Sequence, residues 1–310
     1  MNIVFLDALT MGDMPELERF NEIGTYTQYA ETNSEQRLER CLPAEIIITN
    51  KVKIDAALME KMPNLKLICV AATGTNNIDL VKAAALNIPV KNVKGYSTNS
   101  VAQLTFGFII ELFNRISYYD TYVKEELYSS QKLFTHIGPG LEEIAGKTIG
   151  IIGMGDIGKA VAKIATAFNM QVQYYSTSGK NTDAGYESVS LEVLLSTSDV
   201  VSIHAPYNTK TSQLIGAKQL AMMKSSAILI NVGRGGIVVE ADLVQALEGK
   251  KIYAAALDVF EQEPLPLHSP LLQLQNHGQL ILTPHIAWAS KQARITLLKG
   301  IQINIKQFIY

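Results

Sequence analysis

Three ionisable residues in the last quarter of the chain have types and positions that could do chemistry. Arg234 stands in Asn231-Val232-Gly233-Arg234-Gly235, directly after an apolar run; Glu263 stands in Asp258-Val259-Phe260-Glu261-Gln262-Glu263-Pro264, after another; His285 follows Leu282-Thr283-Pro284. If those runs are parallel strands, all three residues lie just beyond strand ends and project toward one crevice. Arginine there suits two-point capture of a carboxylate, which lysine would hold less rigidly. Histidine suits proton exchange near neutral pH, and a carboxylate beside it favours the imidazolium form. Each residue also has a plainer reading: Arg234 as a helix cap or surface pair, Glu263 as a solvated loop charge, His285 as a structural histidine. Convergence of all three is what makes them a candidate site.

The stretch that must position them begins at Lys147. Thr148 to Ile152 reads as a short buried strand, Gly153-Met154-Gly155-Asp156-Ile157-Gly158 as a glycine turn, and Ile157, Val161, Ile164, Ala165 and Phe168 recur at helical spacing. A strand turning sharply into a helix leaves the first backbone N–H groups of the helix without partners and puts its positive dipole end at the turn, where a pyrophosphate binds. Gly153 permits the turn, Gly155 clears the way for phosphate, and Gly158 lets helix and strand pack closely. The bare pattern also occurs in ordinary turns. Its strand-and-helix setting is what points to a dinucleotide.

Further strands are expected after this turn at Val172 to Tyr175, Val200 to Ala205, Ala227 to Val232, Ala254 to Val259 and Leu280 to Leu282, with helices between them. About six parallel strands opening on a glycine fingerprint make a doubly wound domain. Residues 1 to about 95 alternate in the same way, with strands expected at Ile3 to Leu6, Glu45 to Thr49, Leu65 to Ala71 and Pro89 to Val93. The loop Ala72-Thr73-Gly74-Thr75-Asn76-Asn77 follows a strand there, where parallel sheets bind ligands. Thr98 to Ile116 is the longest periodic helix, with Ser100 and Gln103 as a capping-box start, and is read as the crossover between domains. Tyr118 to Phe134 is either a solvated helix or a dimer-forming arm. The segment after His285 is helical in pattern and short, and is expected to return to the first domain. The fold class is thus α/β, with two doubly wound parallel-sheet domains: 1–97 with 286–310, and 98–285.

Composition narrows the partners. The 310 residues are 47% hydrophobic and 18% charged with a formal net charge of -2, so no field favours nucleic acid or an anionic membrane surface. Cys41 and Cys69 show no metal-ligand spacing, no metal is expected, and Cys69 in Leu67-Ile68-Cys69-Val70 reads as a buried small hydrophobe. The N-terminal run Ile3 to Leu6 meets Asp7 too soon for a secretory signal, and no apolar stretch reaches spanning length. A cytoplasmic protein acting on small molecules is the expectation.

With these motifs assembled, the chain resembles the D-isomer-specific 2-hydroxyacid dehydrogenase family over nearly its whole length, and most resembles its glycerate dehydrogenase (hydroxypyruvate reductase) branch. The resemblance rests on four ordered motifs: the glycine turn 153–158, Asn231 to Val238, Asp258 to Pro264, and Thr283-Pro284-His285-Ile286-Ala287-Trp288. It implies a Rossmann-type dinucleotide domain and a flavodoxin-like substrate domain. It also implies Arg234, Glu263 and His285 as catalytic residues, and Thr73 and Gly74, with Arg234, His285 and Trp288, around the substrate. Cofactor contacts are implied for Gly153, Gly155, Asp156, Ile157, Gly158, Ser176, Thr177, His204, Ala205, Pro206, Val232, Gly233, Asp258 and His285, with Asp258 at the nicotinamide carboxamide. On this basis a nicotinamide cofactor reduces hydroxypyruvate to D-glycerate while His285 gives the proton, the domains close about their crossovers, and the chain is a homodimer. Alternatives are a D-lactate, glyoxylate or phosphoglycerate dehydrogenase, or an NAD(H)-sensing corepressor-like protein. One feature departs from the usual NAD site, which carries an Asp or Glu about twenty residues past the turn. Here Tyr175-Ser176-Thr177-Ser178 ends the strand, with Lys180 close by and no acid until Asp183. NAD is expected, with NADP open.

Overall fold

The computed structural model describes residues 1–180, 185–274 and 277–310. Asp183 lies outside the described residues. The chain divides into two compact units, Met1–Ser97 with Trp288–Tyr310, and Thr98–Ala287.

In the first unit five strands run β1 Asn2–Phe5, β2 Thr25–Gln28, β3 Ile46–Thr49, β4 Leu67–Val70 and β5 Val90–Asn92. They form one parallel sheet in the order β2-β1-β3-β4-β5. Every residue of β3 and β4 is buried, which is why these strands read as unbroken apolar runs. Ile46, Ile48, Leu67 and Cys69 face one core together with Leu297, Leu298, Ile301 and Ile305, while Ile47, Ile68 and Val70 face another with Leu58 and Met59. Burial pushes the Cys69 thiol up to about 12, as befits a side chain that behaves as a hydrocarbon. At the switch point between β1 and β3, the buried Asp7 carboxylate accepts the N–H groups of Asn50, Lys51 and Val52 (2.6–3.3 Å).

Two elements here differ from expectation. The strand β2 is polar and mostly exposed at the sheet edge, so it carries no apolar run to read. The helix Lys291–Ile309, expected to be short, has 19 residues against 17 for Thr98–Asn114. Its lysines and Gly300 interrupt the apolar pattern, yet a Cβ at Gly300 would fall 2.7 Å from Val93, so that glycine permits close packing on the unit's own sheet.

The second unit holds β6 Thr148–Ile152, β7 Gln171–Tyr175, β8 Glu187–Ser188, β9 Val200–Ile203, β10 Ile228–Asn231, β11 Ala254–Leu257 and β12 Leu280–Leu282. These seven parallel strands are ordered β12-β11-β10-β9-β6-β7-β8. Strand order reverses between β6 and β9, and ligand crevices of such sheets open at the carboxyl ends there. The two-residue edge strand β8 is exposed and gives no sequence signal. The helix Thr98–Asn114 buries Val101, Phe108, Ile109 and Leu112 against β6 and its neighbours. It begins two residues before the expected capping Ser100, whose hydroxyl instead donates to the Ala287 carbonyl (2.6 Å). It also stops before Ile116, because Arg115 takes a left-handed conformation (φ 51°) and starts a separate helix, Ile116–Lys124. Among the described residues no helix is long and apolar enough to cross a membrane.

Candidate active site

Arg234, Glu263 and His285 follow β10, β11 and β12, three adjacent parallel strands, so their loops leave the same edge of the sheet. Asn231 shapes the first loop: its amide donates to the Arg234 carbonyl (3.0 Å) and its side-chain oxygen accepts the Gly233 N–H (3.1 Å). Gly235 then brings this loop against the next, since a Cβ there would lie 1.7 Å from the Phe260 carbonyl oxygen. Only a residue without a side chain tolerates that approach. The Arg234 Nη1 donates to the Gly233 carbonyl (2.8 Å), and among the described residues no carboxylate forms an ion pair with this half-buried guanidinium.

The second loop is pinned from two sides. Glu261 and Glu240 exchange bonds, each carboxylate accepting the other's backbone N–H (2.9 and 2.6 Å), which ties the loop to the start of the helix Glu240–Glu248. Burial holds the Glu240 carboxyl above its ordinary value. Glu263 accepts the Phe260 N–H on one oxygen (3.1 Å) and contacts His285 Nδ1 with the other (2.7 Å). That leaves His285 Nε2 as the ring nitrogen facing away from the carboxylate, on a side chain 21% exposed.

The third loop is held by Asp258, which is fully buried. Its oxygens accept the Thr283 hydroxyl (2.6 Å), the Ile286 N–H (2.8 Å) and the Ala287 N–H (2.8 Å). Burial raises its carboxyl above the ordinary value against the opposing pull of those bonds and of His285. Between the anchored residues His285 adopts φ 54°, a left-handed conformation uncommon for a residue with a side chain. Thus Asp258, read from the sequence as a cofactor contact, sets the turn that presents His285 to Glu263.

The glycine turn lies at the switch point. Gly153 has φ 98°, and a Cβ on it would come 2.8 Å from the Ala205 nitrogen; a Cβ on Gly158 would meet the Gly153 carbonyl oxygen at 2.3 Å; Gly155 faces open space. The three glycines therefore serve a turn, a close helix–strand approach and an unobstructed mouth. That mouth opens into a crevice of about 480 Å³ whose walls include Gly153, Gly155, Ser176, Thr177, His204 and Pro206. Asp156, Ile157, Gly158, Ala205, Val232 and Gly233 are not in those walls: the first three belong to the helix Asp156–Ala167, and Ala205, Val232 and Gly233 pack at the ends of β9 and β10. Two buried polar atoms of this crevice, Ser176 Oγ and His204 Nδ1, have no hydrogen-bond partner among the described residues. A dinucleotide fits such residues: open space beside a helix N-terminus for pyrophosphate, and unmatched polar atoms beyond it for ribose and base. Thr73, Gly74 and Trp288 belong to the first unit. There the Thr73 hydroxyl donates to the Val93 carbonyl (3.3 Å), and Trp288 stands edge-on to Tyr96 with ring centroids 6.3 Å apart.

Burial pushes His204 down to about 3 from its ordinary 6.5, so the ring is a neutral hydrogen-bonding group at physiological pH, with Nε2 against the Ser202 hydroxyl (2.9 Å). A histidine depressed in the folded state contributes stability that is present above 6.5 and lost as pH falls toward 3. Between pH 7 and pH 5 this residue alone withdraws about 2 kcal/mol from the cofactor-free protein. Urea unfolding at the two pH values should show a smaller loss for His204→Gln than for the parent. Equal losses would refute the assignment.

Residues 106–287 match the family model described as "D-isomer specific 2-hydroxyacid dehydrogenase, NAD binding domain". The chain is 39% identical over 308 residues to a glycerate dehydrogenase of Methylorubrum extorquens, covering 99% of this chain and 96% of that one. It is 36% identical over 317 residues to a hydroxypyruvate reductase of Blautia hydrogenotrophica, covering 100% and 97%. Among solved structures, the D-lactate dehydrogenase of Aquifex aeolicus complexed with NAD and lactic acid superposes with a TM-score of 0.86 at 30% identity, over 99% of this chain and 95% of that one.

Proposed function

This chain belongs to the D-isomer-specific 2-hydroxyacid dehydrogenase family, and from that premise we propose that it interconverts hydroxypyruvate and D-glycerate. The observation that carries the reading is the 2.7 Å contact of Glu263 with His285 on loops adjoining an arginine that, among the described residues, has no acidic partner. The names of the M. extorquens and B. hydrogenotrophica relatives favour this acid among those the family handles.

Reduced nicotinamide, when bound, supplies the hydride that adds to the carbonyl carbon of the 2-oxo acid. His285 gives the proton from Nε2 to the carbonyl oxygen in reduction and takes it back in oxidation. Glu263 fixes the ring through Nδ1, so that the transferable proton sits on the nitrogen directed away from it. Arg234 offers its free guanidinium N–H groups to the substrate carboxylate and stabilises charge developing on the oxygen. Asp258 acts at one remove by holding the His285 turn. Gly153, Gly155 and the start of the helix Asp156–Ala167 receive the pyrophosphate, and Ser176, Thr177 and His204 take the adenosine half.

Initial rates for hydroxypyruvate, glyoxylate, pyruvate and 3-phosphohydroxypyruvate with each reduced nicotinamide cofactor test this. Hydroxypyruvate is expected to give the highest kcat/KM. A higher value for another acid would move the enzyme to a different branch of the family. No cofactor oxidation with any of them would instead favour a dinucleotide-sensing binding protein.

We also propose a homodimer. In the arm after Thr98–Asn114, Leu133, Phe134 and Ile137 are 72%, 88% and 80% exposed, an apolar strip of the kind that marks protein interfaces. Light scattering on the purified protein should give the mass of two chains; the mass of one chain would contradict it.

A further inference from the structure

The crevice beside β7 narrows the choice of cofactor, an inference that rests on the dinucleotide reading of the second unit. In NAD sites an acid at the end of this strand hydrogen-bonds the ribose hydroxyls and, by its charge, repels a phosphate in that place. Here β7 ends at Tyr175, the chain continues as Ser176-Thr177-Ser178, and among the described residues lining the crevice none is acidic.

Two cations line it instead. Lys180 and Lys210 both border the crevice, both are exposed, and among the described residues neither forms an ion pair. His204 adds no charge, being neutral at physiological pH. The same crevice is lined by Ser176, whose hydroxyl oxygen is shielded from solvent and, among the described residues, makes no hydrogen bond. A buried hydroxyl left unmatched carries a desolvation penalty that a ligand oxygen at this point would remove. Hydroxyls and ammonium groups without a carboxylate form an environment for a phosphate monoester, which is close to a dianion at neutral pH.

We propose that this crevice receives the 2′-phosphate of NADPH, with Ser176 and Thr177 as hydroxyl donors and Lys180 and Lys210 as counter-charges, so that NADPH is bound in preference to NADH. The margin is modest. Exposed lysines are individually weak partners, and no arginine supplies a rigid two-point fork, so a discrimination of about tenfold follows from two such charges and one newly satisfied hydroxyl.

Calorimetry with adenosine 2′,5′-bisphosphate and with AMP reads this without any 2-oxo acid, so failure of the hydroxypyruvate assignment leaves it intact. The bisphosphate is expected to bind about tenfold tighter than AMP. In the Lys180→Ala, Lys210→Ala double variant, whose replaced side chains lie at the surface, the preference for the bisphosphate should shrink to the part that the hydroxyls supply while AMP affinity is kept. Ser176→Asp should reverse the order. Equal affinities in the parent protein, or a preference left undiminished by loss of both lysines, would overturn the proposal. Binding of neither ligand would overturn the dinucleotide reading along with it.

Discussion

Replacing His285 with Asn lowers kcat for 2-oxo acid reduction by about two to four orders of magnitude, the range expected for loss of a general acid, and leaves dinucleotide affinity within about twofold. Asn is the better probe than Ala, because His285 sits at φ 54° and Asn tolerates the left-handed region with little strain. The turn itself should survive the change. Asp258 holds it through the Thr283 hydroxyl and the Ile286 and Ala287 N–H groups, none of which belongs to the histidine. Nor does His285 line the crevice beside the glycine turn, which receives the pyrophosphate and the adenosine half, so most of the binding contacts are kept. Stopped-flow cofactor oxidation beside calorimetric titration makes the comparison. Unchanged turnover would remove His285 from the mechanism, and a parallel loss of cofactor binding would show that the turn had collapsed.

Arg234→Gln is expected to raise KM for the 2-oxo acid about a hundredfold, the equivalent of about 3 kcal/mol for a lost charge-assisted contact. Among the described residues the guanidinium bonds only its own loop at Gly233 and forms no ion pair, so removing it strands no paired carboxylate and should cost little stability. Arg234→Lys keeps the charge and loses the fork, and should recover part of the effect. Steady-state kinetics with the acid varied at saturating cofactor provides the measurement. If the change appeared solely in the KM for the cofactor, the arginine would belong to the dinucleotide and not to the substrate.

Much of this site can be read along the chain. Parallel strands buried on both faces write themselves as apolar runs, as at Ile46–Thr49, Leu67–Val70 and Val200–Ile203, and each candidate catalytic residue stands a few positions after such a run. The glycines of the turn could be given separate tasks because each task has a different steric cause, and the close contacts at Gly153 and Gly158 and the open space at Gly155 match those causes. Edge strands such as Thr25–Gln28 and Glu187–Ser188 escaped because they bury too little to leave a pattern. The reciprocal bonds of Glu240 and Glu261 escaped for another reason: no local spacing announces a pair 21 residues apart.

The sequence by itself determined the α/β class, the place of the dinucleotide turn and the identity of Arg234, Glu263 and His285 as candidates, because these depend on local apolar patterning and on residue type. Tertiary structure alone decided that Asp258 anchors the histidine turn across 28 and 29 positions, that Glu263 meets Nδ1 of His285, and that the Ser176 hydroxyl lies buried with no partner among the described residues. Those outcomes depend on which loops the sheet order makes neighbours. Hydrogen bonds between such loops follow distance in space, which has no period along the chain.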